Sequence, residues 1–416
     1  MHAGADGPSQ RLRVLVFSSL YPSVARPRHG IFVETRLTQL MREYPIDARV
    51  IAPVPWFPFT SPRFGSYAQF AATPRDAVRD NGVAVTHPRY LMLPKVGVSF
   101  QPGSMARAAL TDIECLRRSG WLPDLIDAHY LYPDGVAAAI LAERLNLPFV
   151  MTARGTDVNV LARRPGTGPR IAAAAARAHA VVTVSHQLKD TLVSIGVDAH
   201  KVVVLRNGVD LDVFGLEDQA ASRGRLGLPA AGPLAACVGN LVPEKNHALA
   251  IAALAHLDGY NLVIVGEGPL RNELEDMAER LGVAQRVRFR PAMPQRELRH
   301  LYASADVMLL TSTREGWPNV VLESLACGTP VVALDVGAVG EMITDDAVGR
   351  IVREADAPSL AATVLQQCRL PAQRALIRRH AAKFDWSAIS RGQWHLFTAA
   401  ASTAAVGSSK RPAREA

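Results

Sequence analysis

Two glutamates separated by seven residues, Glu315 and Glu323, are the first candidates for chemistry in this sequence. The apolar run at residues 307–310 predicts a buried parallel strand, and Asn319, a good N-cap residue, predicts the start of a short helix. Glu315 then lies in the loop beyond the strand, where open α/β sheets bind ligands. Because a carboxylate repels phosphate, we expect both glutamates to accept hydrogen bonds from sugar hydroxyls. A pair of solvated surface glutamates is the alternative.

Lys245 is the second candidate because lysine is rare in this chain, which has six lysines and forty arginines. It follows an apolar run at residues 234–239 that predicts a strand ending at Gly239, and it precedes a predicted helix. The compact ammonium group of lysine suits a diphosphate. Gly266 opens a Gly-Glu-Gly-Pro turn that permits close approach of a ligand, although tight strand-to-helix geometry explains such a turn equally well.

In the first half of the chain, residues 125–129 predict a strand that ends on His129, and residues 149–152 predict the next strand, which Arg154 follows. Neighbouring parallel strands would deliver both side chains to the same edge of a sheet. A buried structural histidine remains the alternative for His129. Gly30 precedes a predicted helix after a long loop, where α/β domains hold an anion or a substrate. A glycine that only starts the helix remains the alternative there.

The elements that position these residues must form two domains, because 416 residues exceed one ordinary core and suit two domains of about 150–200 residues each. No apolar run approaches the roughly 18 residues of a membrane span, and the first ten residues lack the pattern of a secretory signal. Four scattered cysteines indicate reduced thiols rather than disulfides or a zinc site. We therefore expect a cytoplasmic protein.

The net charge of +8 is concentrated in residues 1–120, which hold fifteen basic and eight acidic residues. This basic first third predicts an anionic partner, namely an acidic membrane surface or an anionic acceptor, with simple solubility as the alternative. No nucleic-acid-binding signature accompanies the charge, so nucleic acid is not an expected partner. A stretch rich in proline and aromatic residues, 55–74, suits a membrane interface or an amphipathic lipid acceptor, or a loop folded back on its domain.

The run E-G-W-P-N-V-V-L-E-S-L-A-C-G-T-P-V-V, from Glu315, resembles the E-x7-E segment of the retaining family-4 glycosyltransferases. The resemblance extends over about residues 12–400. The N-G-V-D run at 207–210 is common in the family, and the opening S-x-x-Y-P-S run is similar to that of bacterial surface-polysaccharide and teichuronic-acid-type members.

The resemblance implies the α/β GT-B fold: two Rossmann-like, doubly wound parallel-sheet domains facing across a cleft. We expect an acceptor-side domain at residues 11–214, joined by a crossing helix at 385–400. A nucleotide-sugar-binding domain is expected at 220–384, after a linker around 215–233. Residues 1–10 and 401–416 are predicted to be disordered tails.

The resemblance also implies roles for individual residues. Glu315 would orient the donor sugar, with His129 and Arg154 as the other catalytic candidates, and Gly30 would lie on the acceptor side. The donor-binding candidates are Lys245, Glu323, Asn240, Asn319, Val320, Gly316, Gly239 and Gly266. Two of these positions depart from the family pattern. Asn240 stands where an arginine is usual, and Arg154 stands where a histidine contacts the transferred sugar.

Such enzymes need no metal and no other cofactor besides the nucleotide sugar. The Asp-x-Asp pattern occurs only at Asp210 and Asp212, inside the N-G-V-D turn, and so does not predict a metal site. The lysine, the helix start at Asn319 and Val320, and Arg154 would instead meet the charge of the leaving diphosphate.

We therefore predict a retaining glycosyltransferase that moves a sugar from a UDP- or GDP-linked donor to a glycan or lipid-linked acceptor in polysaccharide or glycolipid biosynthesis. The predicted location is cytoplasmic, with a peripheral position on the inner-membrane surface through the basic first domain. A GT-B nucleotide-sugar epimerase or phosphorylase is the alternative, and a two-lobed binding protein is a third hypothesis. A dinucleotide dehydrogenase is disfavoured because no G-x-G-x-x-G follows either first strand.

Overall fold

The computed structural model describes residues 11–92, 97–369 and 371–409. The chain divides into two compact units. Unit 1 comprises the residues up to Arg206 together with those from Ser387 onward, and unit 2 comprises Asn207–Trp386. The predicted tail at 1–10 and residues 410–416 of the other predicted tail lie outside the described residues.

The strands of the described chain are β1 (Leu12–Phe17), β2 (Ile46–Ile51), β3 (Val54–Pro55), β4 (Asp76–Val78), β5 (Ala84–Thr86), β6 (Arg89–Tyr90), β7 (Leu125–His129), β8 (Phe149–Ala153), β9 (Ala180–Thr183), β10 (Val202–Val204), β11 (Leu234–Val238), β12 (Asn261–Val265), β13 (Val287–Arg290), β14 (Val307–Leu310), β15 (Val331–Leu334) and β16 (Gly349–Val352).

The α-helices of the described chain are α1 (Ile31–Glu43), α2 (Ser66–Ala72), α3 (Gln101–Arg118), α4 (Val136–Leu145), α5 (Gly168–Arg177), α6 (His186–Ser194), α7 (Gln219–Arg225), α8 (His247–Leu254), α9 (Arg271–Arg280), α10 (Gln295–Ser304), α11 (Asn319–Ala326), α12 (Val339–Met342), α13 (Ala357–Gln367), α14 (Arg374–Ala381) and α15 (Trp386–Ser409).

Unit 1 is built on an eight-stranded sheet in the order β10-β9-β8-β7-β1-β2-β5-β4, parallel except where β4 pairs with β5. Its central strands are almost wholly apolar and buried, as strands covered by helices on both faces must be. The chain winds from β1 towards β2 on one side and returns later to β7 on the other. The topological switch point, where α/β sheets hold ligands, therefore lies between β1 and β7.

Unit 2 has a six-stranded, wholly parallel sheet in the order β13-β12-β11-β14-β15-β16. Strand β11 pairs with β12 on one side and with β14 on the other, where Ala236 aligns with Met308. The switch point of this unit lies between β11 and β14. These are the two strands that the sequence predicts to carry Lys245 and Glu315 beyond their carboxyl ends.

The final helix α15 packs on unit 1. Its Gln393 accepts a hydrogen bond of 2.7 Å from Nε of the buried Arg36, its Trp394 stacks on Tyr44, and Phe397 enters the unit-1 core. Helix α15 continues to Ser409 and so extends into the predicted tail at 401–416, whose small residues are compatible with a helix.

Two further predictions need correction. The predicted linker at 215–233 contains helix α7, capped by the Asp218 side chain and fixed to α10 because the buried Arg223 donates to the Ser304 carbonyl. Asn319 is the first residue of α11 rather than its N-cap, which is Pro318. Within the described residues, no helix combines the length and apolarity required to cross a bilayer.

Candidate functional site

The loops after β11 and β14 are joined at the switch point of unit 2. Lys245 ends a single helical turn, Pro243–Lys245, and the left-handed Asn246 then leads into α8. The hydroxyl of Thr311 donates to the Lys245 carbonyl at 3.1 Å, and the Thr313 N–H donates to the Glu244 carbonyl at 2.8 Å. These backbone contacts fix the lysine loop against the glutamate loop.

Within this junction, Nζ of Lys245 lies 2.5 Å from Oε1 of Glu315. The two side chains are 29% and 10% exposed, so the ammonium remains partly accessible while the carboxylate is almost covered. Two candidates seventy positions apart in the chain are thus in direct contact, because β11 and β14 are neighbouring parallel strands and each residue lies beyond one of them. The pair provides a cation and an anion at the place where an α/β sheet binds its ligand.

Glu323 has a different environment from Glu315. It is 8% exposed, its Oε2 accepts a 2.8 Å hydrogen bond from the Tyr302 hydroxyl, and its Oε1 lies 3.4 Å from Gln295 Nε2. Burial raises the pKa of Glu323, and the two hydrogen bonds oppose that shift. A carboxylate can accept about four hydrogen bonds, so Glu323 retains capacity for hydroxyl donors beside Tyr302 and Gln295.

The start of α11 contains the candidates Asn319 and Val320, both partly exposed. No side chain caps this end of α11 among the described residues. Oδ1 of Asn319 instead accepts a 3.2 Å hydrogen bond from Nδ2 of the buried Asn207, the first residue of the N-G-V-D run. The helix therefore presents backbone N–H groups and the positive end of its dipole beside the loop of the partly exposed Gly316, an arrangement suited to an anion.

Gly266, one of the glycine candidates of unit 2, allows close backbone packing. A Cβ atom on Gly266 would lie 1.8 Å from the Gly239 carbonyl oxygen, so the ends of β11 and β12 can approach only without a side chain there. A Cβ atom on Gly239 would lie 3.4 Å from the Lys245 side chain. Asn240, the next residue, is exposed, and its carbonyl lies 3.2 Å from Nε2 of His247. These contacts set the path of the lysine loop.

In unit 1, His129 and Arg154 also meet, at the carboxyl ends of β7 and β8. The Arg154 guanidinium lies 2.5 Å from Nδ1 of His129, and Nε2 of the same ring lies 3.0 Å from Oδ2 of Asp127. The guanidinium also stacks over the Phe32 ring, 4.8 Å from its centroid. Asp127, His129 and Arg154 are called the polar triplet below.

The polar triplet determines which nitrogen of His129 carries a proton. A guanidinium can only donate, so Nδ1 must accept, and Nε2 must donate to the Asp127 carboxylate. Burial lowers the pKa of His129, which keeps the ring neutral. Burial and the neighbouring Arg36 lower the pKa of Arg154 to about 9, which leaves it charged at neutral pH. Both nitrogens of His129 are therefore engaged, and Arg154 is the member that can donate to a ligand.

Gly30 has a structural requirement of its own. It has a left-handed φ of 71°, and a Cβ atom there would lie 2.3 Å from the Leu20 carbonyl oxygen. Only glycine fits this conformation and spacing at the start of α1. The preceding loop is held by Ser19, whose N–H and hydroxyl both donate to the buried Asp134.

Sequence reasoning missed Tyr302, Asp127 and Asn207 as partners of the candidates. Asp127 had a usable signal, because residues two apart on a strand share a face and His129 ends the same strand. Asn207 belongs to the N-G-V-D run, but the run by itself does not indicate which residue its first side chain contacts. Tyr302 had no local signal, since it reaches Glu323 from another helix. Asp210, in the pattern tested for metal, accepts hydrogen bonds at Oδ1 from the N–H groups of Asp212 and Val213 and so stabilises a turn.

Comparison with protein families matches both units. The model of Glycosyltransferase Family 4 matches residues 63–213, and that of Glycosyl transferases group 1 matches residues 218–384. A Bacillus subtilis (strain 168) protein described as a teichuronic acid biosynthesis glycosyltransferase, TuaC, is 32% identical, over 80% of this chain and 83% of that protein. A D-inositol 3-phosphate glycosyltransferase of Frankia alni is 32% identical, over 68% of this chain and 76% of that protein.

The chain therefore belongs to the family-4 glycosyltransferases, and the resemblance drawn from its E-x7-E run is confirmed. Among solved structures, sucrose-phosphate synthase from Thermosynechococcus elongatus matches with a TM-score of 0.74 at 19% identity, over 94% of this chain and 98% of the other. HepE of Anabaena, solved with UDP-glucose, matches with a TM-score of 0.71 at 20% identity, over 94% and 100%. These likenesses establish the GT-B fold, which confirms the predicted fold class.

The chain is thus a glycosyltransferase, and the comparisons favour transfer over the alternatives of an epimerase, a phosphorylase or a binding protein, because both family models and these two curated relatives are described as glycosyl transferases.

Proposed function

We propose that this glycosyltransferase takes its sugar from a UDP- or GDP-linked donor and transfers it, with retention of the anomeric configuration, to a glycan or lipid-linked acceptor. The observation that carries the proposal is the contact between Lys245 and Glu315 at the switch point of unit 2. One group suits a diphosphate, and the other suits the hydroxyls of a sugar attached to it.

In this proposal, unit 2 binds the donor. The bond between the anomeric carbon and the diphosphate oxygen breaks, and the Lys245 ammonium and the N–H groups at the start of α11 stabilise the charge left on the diphosphate. Glu315 orients the donor sugar, and Glu323 accepts hydrogen bonds from ribose hydroxyls with the acceptor capacity that Tyr302 and Gln295 leave. These fixed donors meet the charge that a metal ion would otherwise neutralise, so we propose that catalysis needs no metal and no added cofactor.

Unit 1 is assigned the acceptor. The acceptor hydroxyl forms the new bond on the face that the diphosphate leaves, and a departing phosphate oxygen takes the hydroxyl proton. Arg154 would donate hydrogen bonds to a sugar hydroxyl or to a phosphate oxygen, with His129 and Asp127 holding it in place. A neutral His129 whose two nitrogens are engaged is a positioning group in this scheme and does not act as the base.

The proposed acceptor class is supported by the names of the relatives, one of which is described as acting in teichuronic acid biosynthesis. A surface of unit 1 supports a position at the cytoplasmic face of the inner membrane. Here five rings pack against one another, and they are called the aromatic cluster: Phe57, Phe59, Phe64, Tyr67 and Phe70. Phe59 and the neighbouring Trp56 are 54% and 55% exposed, and Arg63 lies over the Phe64 ring, as in membrane-interface segments.

The transfer reaction is tested by incubating the protein with a panel of UDP and GDP sugars, with and without glycan acceptors, and following the products by mass spectrometry. We expect donor consumption that depends on the acceptor, survives a chelator, and gives the same anomer in the product by NMR. Turnover of donor without acceptor would indicate an epimerase, and consumption that requires inorganic phosphate would indicate a phosphorylase. A product with the inverted anomeric configuration would refute retention. Loss of activity in the presence of a chelator would refute metal independence.

The membrane position is tested by flotation with vesicles of phosphatidylcholine, with and without phosphatidylglycerol. We expect binding only to the anionic vesicles and its loss in Trp56→Ser with Phe59→Ser. Leu281→Ser is the control, because Leu281 is an exposed apolar residue of unit 2, at 41%. Equal flotation of all variants would refute a role for the aromatic cluster.

A further inference from the structure

Unit 1 contains a cavity of about 250 Å³ to which no substrate has been assigned above, although Phe70 of the aromatic cluster lines it. It lies where β1, β2 and β5 end, because Ser19, Ala52 and His87 follow those strands and all line it. The remaining lining residues are Tyr21, Ser23, Arg26, His29, Pro53, Val54, Pro55, Phe70, Thr73, Tyr90, Met92 and Gln101.

The size of the cavity limits its occupant. Ligand sites for larger molecules occupy roughly 300–1,000 Å³, so this one suits a single small ring. Its wall contains hydrogen-bonding groups (hydroxyls, imidazoles and one amide) together with flat apolar side chains such as Phe70 and Pro55. Such a wall can pair with several hydroxyls at once and also cover the apolar face of a ring.

The formal charge of the cavity wall is positive only. Arg26 is the one formally charged residue among the described lining residues, which contain no carboxylate. Its guanidinium is partly buried, lies over Phe70 at 5.3 Å from the centroid, and donates from Nη2 to Nδ1 of His29 at 2.9 Å. Among the residues that the structure describes, it forms no ion pair with an acidic side chain. A partly buried cation that lacks an anion on the protein is stabilised by an anionic ligand.

The imidazole of His29 does not add a second charge. Burial, and next to it the charge of Arg26, lowers the pKa of His29 to about 4. The ring therefore stays neutral at physiological pH and accepts the hydrogen bond from the guanidinium. Its neutrality leaves the cavity with a single positive charge.

One buried side chain of the wall has polar atoms without a hydrogen bond of good geometry. His87 is 1% exposed, and within the described part of the chain neither of its ring nitrogens makes such a bond, although the backbone of Pro74 and Arg75 lies beside the ring. The hydroxyl of Tyr21, which is 3% exposed, lies instead beside Asn81. Buried polar groups nearly always have partners, and a polar occupant of the adjoining cavity could complete those of His87.

We propose that this cavity binds one hydroxylated ring that carries a single anionic group, either a carboxylate or a phosphate ester. The anion pairs with Arg26, and the ring hydroxyls pair with the hydroxyl, amide and imidazole groups of the wall. The inference rests on the proposed function only where it identifies this ring with an end of the acceptor; the binding itself is independent of the transfer reaction.

The test is ligand-observed NMR titration of the full chain with three probes: methyl β-D-glucuronide, glucose 6-phosphate and the neutral methyl β-D-glucoside. The first two separate a carboxylate from a phosphate source. We expect at least one of them to bind about 10-fold or more tightly than the glucoside, a ratio that one charge-assisted contact supplies. Binding should also weaken as salt rises.

Arg26→Gln should reduce the affinity for the anionic probe to that for the glucoside, and Arg26→Lys should restore part of it. Arg28→Gln is the matched control, because Arg28 is exposed, lies two positions away and does not line the cavity. Gln101→Leu should weaken all three probes alike by removing a neutral hydrogen-bonding group. Equal binding of the three probes, no binding of any, or an unchanged affinity in Arg26→Gln would overturn the proposal.

Calorimetry with UDP and GDP on the same samples separates this proposal from the proposed function. If a nucleotide binds and no probe does, the cavity assignment fails and donor binding stands. If a probe binds in an Arg26-dependent way and neither nucleotide does, the cavity assignment stands and the proposed donor chemistry fails.

Discussion

Replacing Lys245 by methionine tests the donor site most directly. Methionine retains an unbranched apolar stem but has no charge, and the exposure of Lys245, 29%, leaves its ammonium accessible to a ligand. A hydrogen bond between charged groups contributes about 1.5–3 kcal/mol. Since each 1.4 kcal/mol is tenfold in affinity, we expect roughly 10- to 100-fold weaker binding of the cognate nucleoside diphosphate.

Glu315 provides a second variant for the same test, because its Oε1 lies 2.5 Å from Nζ of Lys245. Its negative charge opposes a diphosphate at the same ammonium, and its proposed role is with the sugar. Glu315→Gln should therefore leave the affinity for UDP or GDP unchanged or make it tighter. The same variant should bind the nucleotide sugar less tightly relative to the free nucleotide, and its turnover should fall. Because the two residues are in contact, the double variant should not show the sum of the two single effects.

The assay is isothermal titration of UDP and GDP into wild type, Lys245→Met, Glu315→Gln and the double variant. Lys383→Met is the matched control, since it removes an exposed lysine of the same unit. An unchanged dissociation constant in Lys245→Met, or equal weakening in Lys383→Met, would refute the assignment of Lys245 to the diphosphate. Circular dichroism of each variant confirms that the fold is retained.

Three further predictions concern packing and protonation. Gly266→Ala should lower both the melting temperature and nucleotide affinity, because its Cβ would lie 1.8 Å from a carbonyl oxygen; Gly340→Ala, with nothing within 4 Å, should change neither. Tyr302→Phe should lower the free energy of unfolding by about 1–3 kcal/mol, because Glu323 loses the buried 2.8 Å hydrogen bond from the Tyr302 hydroxyl. Urea unfolding measures this change, and an unchanged midpoint would contradict the prediction. In the folded protein the pKa of His29 is lowered to about 4, so between about pH 6.5 and 4 the unfolded chain binds a proton that the folded chain does not. The free energy of unfolding should therefore fall by at most about 3 kcal/mol as the pH drops through that range. The fall should be smaller in His29→Asn, which lacks the imidazole.

The sequence predicted the parts of the fold that depend on apolar runs. Residues 307–310 and 331–334 are strands as expected, because these two buried parallel strands contain only apolar side chains and so give an uninterrupted run. The positions of Lys245 and Glu315, each just beyond a strand, followed from the same reasoning, but their direct contact depends on the pairing of β11 with β14, which the sequence did not predict. His129 and Arg154 were predicted to follow neighbouring strands, and they meet at one edge of the sheet.

Long-range partners could not be predicted in this way. Tyr302 reaches Glu323 from α10, and no periodicity within either helix encodes which side chain of one faces which side chain of the other. The helix at 219–225 was missed because its residues, which include Gly224 and several polar side chains, resemble a linker, and it is stabilised by tertiary contacts of Arg223. Packing overrides weak local propensity in such short segments.

The two departures from the family pattern can be understood together through charge. An arginine is absent at Asn240, which removes one cation from unit 2, while Arg154 adds one to unit 1 in place of a histidine. Replacing a histidine by an arginine also replaces a group that can accept and donate by one that only donates, so the neighbouring ring must become the acceptor. The structure contains that consequence: His129 accepts from Arg154 at one nitrogen and contacts Asp127 at the other. The polar triplet thus gives the buried Arg154 an acceptor in His129, and the Asp127 carboxylate accepts from the other ring nitrogen.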